Sequence, residues 1–239
     1  MTEQTTVGTV YGVGLGPGDP DLMTVRAQRL IRSANVIAYP APDSGESFAR
    51  SIAAAEISAE AEEIPIVIPM RTERFPAQAV YDAAAARIAE QARAGQDVVV
   101  LCEGDPFFYG SFMYLFERLS GQVPVRVVPG VTSLTGCAAA AARPLCARNE
   151  TLTVLPGPLE DDTLRHMLAR GGAFAILKVG RHLPRLRAVL ADLGLERRAM
   201  FVAHASLPQQ QAVPLADAPA TAPYFSMILI PGDDPYASS

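Results

Sequence analysis

Lysine is nearly missing from this chain: Lys178 is the only one among 20 lysine and arginine residues. The basic residues form no dense block, and the net charge is −5. A nucleic-acid-binding protein presents a basic stripe, so that class of function is set aside. No apolar run reaches the roughly 18 residues that a membrane-spanning helix needs, so no membrane association is expected. The start, MTEQTTVGTV, lacks the basic residues and apolar stretch of a secretory signal, which makes a cytoplasmic location the expectation. Cysteines are few and scattered: Cys102, Cys137 and Cys146 suit neither a disulfide framework nor a metal knot. Each is expected to be a small buried hydrophobe, and no metal site is expected. What the chain does have is apolar material. Hydrophobic residues make up 49% of 239, enough for one large domain or two modest ones and too much for disorder.

Apolar runs and helical spacings alternate through the first half. Residues 7–15 read as a buried strand, and residues 22–34 as a helix with Met23, Ala27, Leu30, Ile31 and Ala34 on one face. Asp19 or Asp21 is expected to cap it. Residues 36–39 read as a short strand ended by Pro40 and Pro42. A helix over 47–55, a strand over 64–69 and a helix opened by Pro76 and stopped by Gly95 follow. The run DVVVLC is a buried strand, residues 111–119 a helix and 123–128 a strand. Solid apolar strands between helices predict a largely parallel sheet covered on both faces. After PGVTS, residues 129–133, the rhythm changes. Helices are expected over 134–142, 163–169 and 183–193, and strands over 151–155 and 173–179. Three extended pieces, 199–204, 210–214 and 224–230, have no helix between them, which predicts antiparallel pairing. The fold class is therefore α/β, with two α/β domains: residues 1–130 with a mostly parallel sheet and 131–239 with a mixed sheet, a ligand cleft lying between them.

Two loops carry glycine and acid together. GVGLGPGDPDLMT starts at Gly12, and LCEGDPFFYGS starts at Leu101. The first fails the dinucleotide fingerprint, because Pro17 or Asp19 stands where the third glycine belongs. It is no P-loop either, since no lysine follows its glycines. Asp19 and Asp21 would repel a phosphate, so a neutral or cationic ligand is expected. The plainer reading is a tight turn whose glycines let the chain pass a neighbouring strand. The second loop joins a buried strand to a helix, the usual ligand position in open α/β sheets, and adds the aromatic faces of Phe107, Phe108 and Tyr109. Its plainer reading is two core anchors and an Asp105 helix cap.

These two loops and PGVTS, in that order, resemble the tetrapyrrole methylases, the class III S-adenosylmethionine-dependent methyltransferases, over about residues 7–232. Two further stretches, YPAPDSGESFARSI and LCEGDPFFYGSFMYLFERL, resemble the branch acting at carbon 20 of precorrin-2. The resemblance implies two α/β domains with S-adenosyl-L-methionine folded between them, in a homodimer, with a reduced tetrapyrrole as partner. Carried over, the cofactor contacts are Pro17, Gly104, Asp105, Tyr109, Gly110, Ser111, Thr132 and Ser133. The turn after Leu155, Lys178, Val179, Ala203, His204 and Ala205 close over the adenosine, although LKVG and VAHAS depart from the family's usual patterns there.

The implied reaction is methyl transfer from sulfonium sulfur to a meso carbon, in which the protein chiefly aligns the partners and excludes water. Tyr39, Asp43 and His204 are conceivable bases, though none is assigned. The substrate is rich in carboxylates, which points to arginine forks: Arg50, Arg71 and Arg148, with Arg74 nearby. Three rivals stand beside this reading. They are the same reaction on a cobalt-loaded substrate, another methylase of the fold, and a ligand binder without turnover.

Overall fold

The computed structural model describes residues 6–68 and 74–232. They form two compact units that divide between Thr132 and Ser133.

The first unit holds strands β1 (Val10–Gly14), β2 (Val36–Pro42), β3 (Glu62–Ile68), β4 (Val98–Cys102) and β5 (Val125–Val128). Its helices are α1 (Val25–Ser33), α2 (Phe48–Ala53), α3 (Arg74–Arg93) and α4 (Phe112–Leu119). The strands lie in the order β3-β2-β4-β1-β5, and every pair is parallel. β4 shows why the run reads as solid apolar. Val98, Val100 and Cys102 pack with Ile88 of α3 and Phe112 and Leu115 of α4, while Val99 and Leu101 pack with Ile31 of α1 and Ile52 of α2. A strand covered on both faces has no position for a polar side chain.

Two boundaries differ from the sequence reading. Thr24, rather than Asp19 or Asp21, caps α1, its Oγ1 accepting from the Ala27 amide at 3.1 Å. Asp19 instead closes the short 3-10 turn Pro20–Leu22 and accepts from the Asp21 amide at 2.9 Å. β2 also runs through both of its prolines. Its pairing with β4 ends at Ala38, while its pairing with β3 continues to Pro42. Beyond Ala38 the strand has one neighbour, where a missing amide removes no bond from a second ladder.

The second unit holds helices α5 (Ser133–Ala140), α6 (Asp161–Leu168) and α7 (Leu183–Asp192). Its strands are β6 (Leu152–Pro156), β7 (Ala173–Leu177), β8 (Met200–Ala203), β9 (Gln211–Pro214) and β10 (Ser226–Ile230). They lie in the order β6-β7-β10-β8-β9. β6 and β7 are parallel and the other three pairings antiparallel, so the sheet is mixed and the last three strands pair as expected. α6 and α7 bury Leu164, Leu168, Leu186 and Leu190 against Phe174, Ile176, Phe201 and Ile228. Cys102 and Cys137 are buried, but Cys146 is exposed in the turn after α5, against the expectation for it. No described helix is long and apolar enough to cross a membrane.

Candidate functional site

The site in the first unit is built at the carboxyl ends of β1, β4 and β5. The two Gly-Asp-Pro loops are joined there by a pair of backbone hydrogen bonds. The Gly104 amide donates to Gly16 O at 2.8 Å, and the Gly16 amide to Gly104 O at 3.2 Å. PGVTS closes onto the same point. A side chain on Gly130 would begin 2.1 Å from Gly104 O and 2.8 Å from Gly14 Cα, so only glycine allows the three segments to converge. Gly12 serves the core instead, since a Cβ there would fall 2.3 Å from the Phe112 ring and glycine leaves room for that aromatic. The glycine pattern that draws attention in the sequence thus serves chain-to-chain approach as well as any ligand.

Asp105 binds the junction together. Its Oδ1 accepts from the Phe107 amide at 2.9 Å and its Oδ2 from the Gly130 amide at 3.0 Å. It does not cap α4, whose N-cap is Ser111. A carboxylate accepting two backbone amides holds its loop firmly, because charge-assisted bonds are the stronger kind. Phe107 is no core anchor: it is 48% exposed, edge-on to Phe116. Tyr109 is exposed and stands at φ 55, a left-handed conformation rare for a bulky residue and typical of functional sites. Gly110 follows it, passing close to the Asp105 and Pro106 carbonyls. Pro17, Ser111 and Thr132 are all partly exposed at this end of the sheet. The structure therefore brings Pro17, Gly104, Asp105, Tyr109, Gly110, Ser111 and Thr132 to one edge.

The expected substrate arginines are placed less simply. Arg50 Nε and Nη2 donate to the two carboxylate oxygens of Glu63 at 2.6 and 2.8 Å. A substrate carboxylate would have to compete with Glu63 for that fork. Tyr39 lies against the pair, and burial, with Glu63 beside it, pushes its phenol further above its ordinary value, which removes it as a base. Arg71 and the side chain of Arg74 lie outside the described residues. Arg148 is exposed in the second unit, at φ 47. Glu103 is a residue that sequence reasoning misses. Burial raises its pKa above the ordinary carboxylate range. Its only signal in the sequence is an acid at the end of a solidly apolar strand.

In the second unit, Ser133 opens α5 and is exposed. The turn after β6 meets the end of β7, where the Gly157 amide donates to Leu177 O at 2.7 Å and Gly157 passes close to Lys178 O. Lys178 is exposed at φ 58, and Val179 after it is fully buried. Ala203 ends β8 and Ala205 is buried just beyond it. Between them His204 stands at φ 50, its amide donating to Phe225 O at 2.9 Å. Its Nδ1 is buried and, among the described residues, has no hydrogen-bond partner. Buried polar atoms are normally paired, so this orphan is a place for a ligand atom.

In the first unit the acids of the first loop suit a sulfonium cation such as that of S-adenosyl-L-methionine and oppose phosphate. The second unit, taken by itself, holds an unsatisfied ring nitrogen at His204. Among the described residues no cluster of His, Cys, Asp and Glu is arranged to hold a metal. The precorrin-2 C(20)-methyltransferase of a Sinorhizobium species is 39% identical to this chain over 235 residues, covering 95% of this chain and 96% of that protein. The cobalt-precorrin-2 C(20)-methyltransferase of Salmonella typhimurium is 30% identical, covering 93% and 96%. The cobalamin biosynthesis protein CobIJ of Mycobacterium tuberculosis is 42% identical over 234 residues, and this chain spans 46% of its length. Among solved structures, the uroporphyrin-III C-methyl transferase of Thermus thermophilus, complexed with S-adenyl homocysteine, superposes with a TM-score of 0.67 at 28% identity. That match covers 94% of this chain and 92% of the other. The family model for tetrapyrrole (corrin/porphyrin) methylases matches residues 9–219, and the chain belongs to that family.

Proposed function

We propose that this protein transfers a methyl group from S-adenosyl-L-methionine to carbon 20 of precorrin-2, giving precorrin-3A in corrin-ring biosynthesis. The observation that carries this reading is the likeness to a precorrin-2 C(20)-methyltransferase across nearly the whole of both chains. When bound, the cofactor supplies a methyl carbon on a sulfonium, an electrophile with a neutral leaving group. The chain supplies placement. The proposed cofactor contacts are Pro17, Gly104, Asp105, Tyr109, Gly110, Ser111 and Thr132 in the first unit, and Ser133, Lys178, Val179, Ala203, His204 and Ala205 in the second. Asp105 fixes the loop on which a reacting partner would rest, and the aromatic faces of Phe107 and Tyr109 shield it from water. Alignment of this kind can lower a barrier by up to roughly 7–11 kcal/mol without covalent participation. Asp43 and His204 remain the candidates to take up a proton after transfer. Arg148 and Arg71 are the proposed carboxylate-binding arginines, and Arg50 acts with Glu63 to hold α2. A homodimer is part of the same reading and is checked by analytical ultracentrifugation.

The deciding experiment incubates the purified protein with S-adenosyl-L-methionine and precorrin-2, in parallel with the cobalt-loaded substrate. The expected product is precorrin-2 with one added methyl, placed at carbon 20 by NMR. The 30% likeness to the cobalt-precorrin enzyme favours a second reading, in which only the cobalt form gains the methyl. No methyl on either substrate would overturn both.

A further inference from the structure

Arg185 lies in the first turn of α7, a helix that the buried Leu183, Leu186, Val189 and Leu190 fix against the second sheet. Its guanidinium reaches the turn between β6 and α6. Nη1 donates to Leu159 O at 2.9 Å and to the Asp161 carboxylate, and Nη2 donates to Gly157 O. Two carbonyls two residues apart thus converge on one planar fork, and the turn curls around it. Within the turn the Leu159 amide closes back on Pro156 O at 3.1 Å.

The same turn braces the end of β7. The Gly157 amide donates to Leu177 O at 2.7 Å, and a Cβ on Gly157 would begin 2.8 Å from Lys178 O and 3.3 Å from Leu186 Cδ1. Gly157 is therefore wedged between α7 and the Leu177–Lys178 backbone. Lys178 stands at φ 58, a left-handed conformation that a residue other than glycine keeps only where its surroundings impose it. An ion pair as open as Arg185–Asp161, whose side chains are 32% and 45% exposed, contributes little stability by itself. The bonds to the two carbonyls have a different use: they fix the turn that fixes Lys178.

We propose that Arg185 is a positioning residue, shaping the β6–α6 turn so that Gly157 holds the backbone of Lys178 and Val179 ready for the nucleoside part of the cofactor. The proposal rests on the reading that Lys178 and Val179 are cofactor contacts. Arg185 acts through the Gly157 and Leu159 carbonyls and not by touching the ligand. A backbone set in advance spares the ligand the cost of ordering it.

Lys178 is the one lysine in the chain, so isotope labelling of lysine alone gives a single backbone amide signal by NMR, placed where the effect is expected. In the native protein S-adenosylhomocysteine should shift that signal. Arg185→Lys keeps a charge beside Asp161 but cannot span both carbonyls. It should displace or broaden the Lys178 signal before ligand is added and weaken S-adenosylhomocysteine about tenfold by calorimetry. The KM for S-adenosylmethionine should rise with kcat unchanged at saturation. Asp161→Asn removes the ion pair and leaves the carbonyl bonds, so it should keep the native signal and affinity. A merely structural Arg185 would lower the urea midpoint while the Lys178 signal and the dissociation constant stay native. That result in Arg185→Lys overturns the proposal, and so does an Asp161→Asn protein that binds as weakly as Arg185→Lys. If calorimetry finds no S-adenosylhomocysteine binding to the native protein, the cofactor reading falls and takes this inference with it. Native binding with undiminished affinity in Arg185→Lys sinks the inference alone.

Discussion

At Asp105 one carboxylate closes two turns, and its replacement should show it. Asp105→Ala leaves the Phe107 and Gly130 amides without their acceptor, and we expect a loss of about 2–3 kcal/mol in urea unfolding. Asp105→Asn keeps one carbonyl oxygen and should recover part of that loss. His204 should behave in the opposite way. Its ring nitrogen has no partner in the described protein, so removing it costs the fold little. His204→Gly keeps the left-handed backbone without strain. It should hold the melting temperature and weaken S-adenosylhomocysteine about tenfold by calorimetry, the scale of one hydrogen bond. An unchanged dissociation constant would take His204 out of the cofactor site. At this scale the sequence is informative about residue type and less so about partner. The acid of the second Gly-Asp-Pro loop stands out in the sequence, but its bond to Gly130, 25 residues away, depends on three strand ends meeting. Arg50 looks like a carboxylate binder because Glu63, its partner, lies on another element.

Helix α2 is too short to persist alone, and its ties to two strands, Ser47 to Pro40 of β2 and Arg50 to Glu63 of β3, stabilise it. Two carboxyls of the first unit shift in opposite directions. The Arg50 guanidinium beside Glu63 holds that carboxyl below the ordinary carboxylate range. The stabilisation is therefore full above the ordinary carboxylate value and fades as the pH falls through the lowered one. Glu63→Gln should be less stable than the native protein at neutral pH, and the two should converge in acid, as followed by circular dichroism. Burial holds Glu103 above the ordinary range, so its contribution is lost as the pH rises through that raised value. Glu103→Gln should match or exceed native stability at neutral pH. Element positions are largely legible in the sequence, because apolar runs and three-to-four spacings survive without tertiary knowledge. The differences are local contests. Thr24 takes the place of Asp19 as a cap because Asp19 is already occupied by its own turn. The prolines of β2 do not end it because its far part needs only one neighbour.

For the molecule as a whole, a ligand that binds only the folded state raises its stability by mass action. S-adenosylhomocysteine at about 100 times its dissociation constant should add about 2.7 kcal/mol. For a chain of this size that is a rise of roughly 5–10 °C in melting temperature. No rise would contradict a cofactor site in the native protein. The same scale separates what the chain announces from what folding decides. The sequence by itself determined the α/β class, the parallel first sheet and the mixed second one. Period and apolar content are local properties, and a strand buried on both faces can only be written in apolar residues. It also singled out the two Gly-Asp-Pro loops, since their glycines and acids are adjacent along the chain. Only the tertiary structure decided that β10, last in the chain, enters between β7 and β8. It alone decided that Gly16, Gly104 and Gly130 touch, and that Asp105 reaches the Gly130 amide. Those facts depend on strand order, which is set by how the helices share the two faces of a sheet and not by any neighbour in sequence.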